Sequence, residues 1–445
     1  MKKMFFTRIL LLGLFNQALF TIIPCASSGL TIDEAVALAL ANNPDLQKQQ
    51  MNRTLSEEDL SGQKAQNFGK FDLAASYGYY NLPRTLAPLT PASIATDPKA
   101  VPTTVDLFAT GIMYEVPLFT GFAQQRSVEI AALEKELAGL AFKLSREQLI
   151  YNVKSLYVNI LSLQAQEEAQ KAYHEALQNL YDDILLEVKL GRKARVEQLK
   201  AAADLENARV QAEQISGNIR IVKAGLSTLL GGETISPLEK FSVEMPPPGE
   251  TEPNKEILQL DRYRSALLEV EKKARLVEKS RAAYYPQVIF NSFYGQNFGP
   301  NDSSNIHEGD WNNQEVWQAT VNLKWTLFDF GARKTASRMA AIREQQSRRD
   351  RVKTELDLKK SLSEAEIKIE MARDAFHSAE SELALTRETE MIEQVRFDKG
   401  ATDVNDLLYA KARNQLALSR SISARYSYQN GCFYLDYLLE NGESK

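Results

Sequence analysis

The chain repeats itself. Pro117-Leu118-Phe119-Thr120-Gly121-Phe122 aligns with Thr326-Leu327-Phe328-Asp329-Phe330-Gly331 about 209 residues later, and Leu190-Gly191 meets Lys399-Gly400 at nearly the same offset. Val196-Glu197-Gln198-Leu199 then meets Val404-Asn405-Asp406-Leu407, and upstream the run Leu73 to Tyr79 matches Val288 to Tyr294 at an offset of about 215. Anchors that recur in one order mark a duplication, so whatever the first half folds into, the second half must fold into as well. Residues 29–235 read as the first repeat, 236–253 as a Pro-rich linker and 254–445 as the second repeat.

Each repeat reads helix, strand, strand, long helix, helix. The opening helix starts at Thr31-Ile32-Asp33-Glu34, where Thr31 is the N-cap residue and Glu34 stands three positions on. Apolar residues then recur at helical spacing through Val36, Leu40, Leu46 and Leu55. Runs rich in Glu, Lys, Gln, Ala and Leu cover about 122–190 and 193–230 in the first half. The second half repeats them over about 254–283, 331–398 and 403–440. At 1.5 Å per residue each long helix reaches about 100 Å, and two short helices stacked end to end match it. The expected shape is a rod of helices with strands at one end.

The strands fall at about 72–82, 104–117, 286–296 and 315–328. In the last, Trp317, Ala319, Val321, Leu323, Trp325 and Leu327 share one face, while Gln318, Thr320, Asn322, Lys324 and Thr326 share the other. That alternation suits a strand crossing a bilayer around a wet lumen, and equally an edge strand of a soluble sandwich. Leu73, Ala75, Tyr77 and Tyr79 lie together on the first strand, as do Val288, Phe290, Ser292 and Tyr294 on the third. The second strand has no clean alternation. A membrane barrel needs about eight strands, and open edges in lipid leave backbone groups unpaired. The chain must share its barrel, and three copies give about twelve strands.

Lys2, Lys3 and Arg8 precede an apolar stretch to about Ile23, followed by Ala26, Ser27 and Ser28. This is the layout of a secretory signal over 1–28, with lipidation at Cys25 as the other possibility. Its removal takes the formal charge from -5 to about -8. An acidic chain lacks the basic face that nucleic acid requires. Cys25, Cys432, His174, His307 and His377 form no ligand spacing, and no nucleotide or nucleophile motif is present. No enzyme activity, metal or cofactor is expected. An exported coiled-coil stalk with a membrane barrel anchor is the alternative, but it would carry one barrel segment rather than two duplicated strand pairs.

The chain resembles the TolC-like outer membrane efflux and secretion channel family. The resemblance rests on Leu30-Thr31-Ile32-Asp33-Glu34-Ala35, on Asn43-Pro44-Asp45-Leu46, on both strand-to-helix turns and on the turns at Gly191 and Gly400. It implies a homotrimer whose twelve-stranded β-barrel in outer membrane lipid continues into a periplasmic α-helical barrel. It further implies a passive conduit that engages a periplasmic adaptor (membrane fusion) protein and an inner-membrane pump or ABC exporter, in efflux or type I secretion.

Two regions are candidates for function. Leu190, Gly191, Arg192 and Lys193, with Gly400, Ala401 and Thr402, would form the hairpin tips that meet the adaptor. Glycine at a helix stop is equally accounted for by turn geometry alone. Lys189, Arg192, Lys193 and Arg195 make the first tip basic, either a solvated helix end or a docking rim. The resemblance places Asp406 where relatives carry an acidic pore constriction, while their next acidic position is Tyr409 here. Asp403 and Asp406 both also suit a first helical turn, whose dipole favours carboxylates.

Overall fold

A computed structural model describes residues 29–96, 101–233, 235–240, 257–300, 302 and 311–442. The expected signal at 1–28, with Cys25, and most of the linker at 236–253 lie outside the described residues. Thr31 caps α1 (Ile32–Asn42): its hydroxyl accepts from the Glu34 amide at 3.2 Å, and the Glu34 carboxylate accepts from the Thr31 amide at 3.0 Å. Two donors that a helix start leaves unpaired are thereby satisfied. The single opening helix expected from the sequence is in fact two. Pro44 has no N–H to extend the ladder. Asn43 therefore turns to extended backbone and its Oδ1 accepts from the Leu46 amide at 3.0 Å, starting α2 (Pro44–Ala65).

The remainder runs β1 (Lys70–Thr85), α3 (Pro91–Thr96), β2 (Thr103–Phe119), α4 (Ala123–Lys189), α5 (Arg195–Leu229), α6 (Asp261–Arg281), β3 (Gln287–Pro300), β4 (Trp311–Lys324), α7 (Ala332–Asp398) and α8 (Val404–Leu438). α4 and α7 are each 67 residues long, hence about 100 Å. α2 and α5 pack along α4, and α6 and α8 along α7. The short helices thus flank each long one in turn.

The four strands form one antiparallel sheet in the order β1-β2-β3-β4, leaving β1 and β4 as open edges. Three strands are longer than the alternation suggested, because pairing continues past the patterned segment: β1 reaches Thr85, β2 runs to Phe119 and β3 runs to Pro300. β4 is shifted. It begins at Trp311 and ends at Lys324, so Trp325 and Leu327 are not part of it. The physical cause is local. β3 starts at Gln287, opposite Lys324, so no partner remains for Trp325. The indole N–H of Trp325 donates to the Tyr284 carbonyl at 3.1 Å, and Arg333 donates to the carbonyls of Thr326 and Leu327.

Register settles what alternation left open for β2. Leu73, Ile112, Tyr294 and Trp317 stand in one row across all four strands, and Val116, Phe290 and Val321 in another. Tyr77, Phe108 and Phe298 form a third, with ring centroids 4.7 and 5.4 Å apart. This face is apolar and uncovered: Leu73 is 81% exposed and Trp317 72%. The opposite face carries rows such as Lys70, Glu115, Asn291 and Thr320, or Ser76, Ala109, Asn297 and Gln314.

Buried apolar side chains are strung along the rod rather than gathered in one body. At mid-length Leu149, Val153, Tyr157 and Ile160 of α4 pack on Ala35, Ala39, Leu226 and Leu230. Leu358, Leu362 and Ala365 of α7 pack on Ile257, Tyr263 and Leu438 in the second repeat. A further cluster lies near the end away from the sheet, where Leu177, Leu180 and Ile184 meet Val404, Leu407 and Leu408. Tyr157 closes the mid-length cluster. Its hydroxyl lies 2.7 Å from the Leu30 carbonyl and 2.8 Å from that of Glu239, beside the parallel bridge between Leu30 and Leu238. Burial first of all raises its pKa to about 12.

Candidate functional site

The end of the rod away from the sheet consists of two hairpin turns built the same way. At the first, the Gly191 amide donates to the Val188 carbonyl at 3.0 Å and the Arg192 amide to that of Glu187 at 2.8 Å. At the second, Gly400 donates to Phe397 at 2.9 Å and Ala401 to Arg396 at 2.8 Å. These paired bonds satisfy the last carbonyls of α4 and α7 and demand a left-handed residue. Gly191 and Gly400 supply it, with φ of +71° and +68°.

The basic cluster of the first tip is less free than its composition suggested. Arg192 reaches Glu187 at 3.4 Å and Lys193 reaches Glu197 at 3.7 Å. The Lys193 ammonium also lies 3.5 Å from the centre of the Phe397 ring on α7. Leu190, by contrast, is more than half exposed.

The second tip is capped and the first is not. Asp403 Oδ1 accepts from the amides of Asn405 at 2.9 Å and Asp406 at 3.1 Å, whereas Ala194, which precedes α5, offers no side-chain acceptor. The bond from the Asp406 amide, followed by that from the Asn405 side chain, holds the Asp403 carboxyl below the ordinary value. Asp403 is thereby committed to capping. Asp406 accepts from the Thr402 hydroxyl at 2.6 Å, which ties Thr402 to the same turn.

Asp406 and Tyr409 sit together, one helical turn apart, in an open groove between α7 and α8 that Arg396, Glu393, Thr389 and Arg413 also line. Tyr409 is 68% exposed. The arginines are the part that sequence reasoning missed. Arg396 is bonded to Glu393 at 2.7 Å, a pairing whose three-residue spacing on a helix was legible. Its placement beside Asp406 was not.

Behind the groove lies a polar knot. Lys411 is largely buried and its ammonium is 3.2 Å from Glu390, whose other oxygen accepts from Asn414. Nearby, burial and then the charges of Asp204 and Glu390 raise the Tyr173 pKa to about 12. Charges removed from water this way persist only when paired. Among the described residues no cluster of His, Cys, Asp and Glu could hold a metal ion, and no helix is long and apolar enough to cross a membrane.

The outer membrane efflux protein family model matches residues 35–232 and 262–436. No curated protein matches the chain. Among solved structures, a membrane protein from Pseudomonas aeruginosa superposes with a TM-score of 0.78 at 15% identity, over 93% of this chain and 92% of its own. The Campylobacter jejuni CmeC outer membrane channel gives 0.76 at 18% identity, over 94% and 89%. The open state of the Neisseria gonorrhoeae MtrE outer membrane channel gives 0.76 at 16% identity, over 92% and 89%.

Proposed function

Because the chain belongs to the outer membrane efflux protein family, we propose that three copies close one β-barrel and one helical tunnel, forming the exit duct of a tripartite efflux pump. The protein is an outer membrane efflux channel whose helices extend into the periplasm. The observation that carries the three-copy reading is the sheet. Four strands with a continuous apolar face and two open edges cannot stand alone in lipid, where every unpaired edge amide is costly. Successive strands alternate in direction, so β4 of one copy meets β1 of the next antiparallel, and about twelve strands complete a barrel. The apolar face then meets lipid and the face bearing Asn291, Thr320 and Gln318 lines a wet lumen.

The tunnel is passive and opens at its periplasmic end. There Leu190, Gly191, Arg192 and Lys193, with Gly400, Ala401 and Thr402, meet a periplasmic adaptor protein, and an inner-membrane pump supplies the energy. Asp406, with Tyr409 beside it, narrows the pore. The full-length protein in detergent should run as a trimer by native mass spectrometry and form channels in planar bilayers. A stable monomer would sink the reading.

A further inference from the structure

The two repeats correspond closely enough to be used as a ruler. α4 and α7 match at an offset of 209, from Ala123 to Ala332 at their starts and from Lys189 to Asp398 at their ends. The left-handed residues before them, Gly121-Phe122 and Phe330-Gly331, keep the same offset. α2 and α6 match at 216, from Ala65 to Arg281 at their ends and from Gln66–Phe68 to Ala282–Tyr284 in the 3-10 turns that follow.

Inside the chain the repeats join where α4 packs on α6. Glu129 pairs there with Arg275 at 3.4 Å, Glu134 with Lys272 at 3.8 Å, and Arg126 with Glu278 at 2.9 Å. The corresponding helices α7 and α2 belong to the open edges, since α7 follows β4 and α2 leads into β1. Carrying the inner junction across by the two offsets puts Arg338 in the place of Glu129 and Asp59 in the place of Arg275. It is the same ion pair with its signs exchanged. Arg343 likewise replaces Glu134 but faces the uncharged Ser56, and the adjacent Glu57 is already paired within the chain, with Lys135 at 3.4 Å. Arg126 and Glu278 map to Thr335 and Gly62, which carry no charge.

Within one chain these groups wait uncovered. Asp59 and Arg338 are both exposed, and neither enters an ion pair among the described residues. Met339 is 49% exposed, whereas Ile130, its counterpart at the inner junction, is 8% exposed. What covers Ile130 is missing at Met339. The charges say what belongs there.

We infer that the α7 edge of one copy receives the α2 edge of a second copy, with Arg338 against Asp59 across the junction. This rests on the three-copy reading above and deepens it by naming the contact and its register.

The test is a charge swap in the full-length protein. Asp59→Arg alone and Arg338→Asp alone should each lower the temperature at which the detergent-solubilised trimer dissociates. The double exchange should restore most of that loss, and the spread should narrow at high salt. Single variants that match wild type, or a double variant that only adds the two losses, would overturn the pairing. Should a charge variant fail to fold, Asp59→Cys combined with Arg338→Cys gives an independent answer. A short bifunctional maleimide should then link chains into covalent dimers and trimers, which neither cysteine alone should allow. A trimer that the pair cannot link contradicts the register, whereas a monomeric wild type contradicts the three-copy reading itself.

Discussion

Lys193, in the turn of the first hairpin, lays its ammonium 3.5 Å from the ring centre of Phe397, at the end of the second hairpin's long helix. A cation over an aromatic face at an exposed site contributes about 0.5–1 kcal/mol. In the trimer proposed above, that would bias the resting position of the tips. Phe397→Leu keeps apolar bulk and removes the ring face, so it should raise the resting conductance in a planar bilayer. Lys193→Gln should do the same. If both leave conductance at the wild-type level, the contact does not hold the tips together.

Asp406 is the candidate constriction. Three copies of its carboxylate at a narrow throat would favour a cation and disfavour an anion. Asp406→Ala should weaken cation selectivity and block by multivalent metal ions, at a stability cost of only roughly 0.3–1 kcal/mol. Asp403→Ala is the control, because that carboxylate is spent on two amides. Selectivity that survives Asp406→Ala while the melting temperature drops would identify a helix cap instead.

The two tip glycines can be tested without steric complication. Nothing lies within 4 Å of a Cβ built on Gly191 or Gly400, so only the left-handed backbone resists substitution. Gly191→Ala and Gly400→Ala should each cost about 1–2 kcal/mol locally, and asparagine should cost less. Hydrogen exchange of the tip amides reports that opening directly. Equal protection in the alanine and asparagine variants would contradict it.

Asp403 gives a pH signature. Its carboxyl titrates below the ordinary value because it accepts backbone and side-chain hydrogen bonds. Such a group stabilises the fold above its unfolded pKa of about 3.9 and loses that contribution as the pH falls through the lower folded value. Asp403→Asn keeps a capping oxygen and removes the charge. Any melting-temperature advantage of wild type over this variant at pH 6 should therefore fade below about pH 4. An advantage that stays constant into strong acid would place the stabilisation elsewhere.

The helical framework was legible because its signals are local. Thr31 and Glu34 form their reciprocal cap, and the turns at Gly191 and Gly400 stop helices of equal length. Apart from the break at Pro44, whose cause is local, what escaped was set by residues far apart in sequence. The sidedness of β2 follows from its pairing with β1 and β3, since Gly111 and Ala109 mask any alternation. The end of β4 depends on where β3 begins and on Arg333 gripping the departing carbonyls. At the tips, Glu197 was in view of Lys193 at helical spacing, but Phe397 lies in the other repeat.

The mid-length cluster around Tyr157 has a mechanical consequence. From Tyr157 to Gly191 the chain is almost wholly α-helix, a stiff arm of about 50 Å at 1.5 Å per residue. Rotating such an arm by about 5° at the cluster displaces its far end by about 4 Å, wider than a water molecule. Packing adjustments too small to break the Tyr157 hydroxyl's contacts with Leu30 and Glu239 are thereby amplified where the two hairpins end. Because the arm is long, a substitution that merely shifts Val153 or Ile160 moves the hairpin tip without touching it.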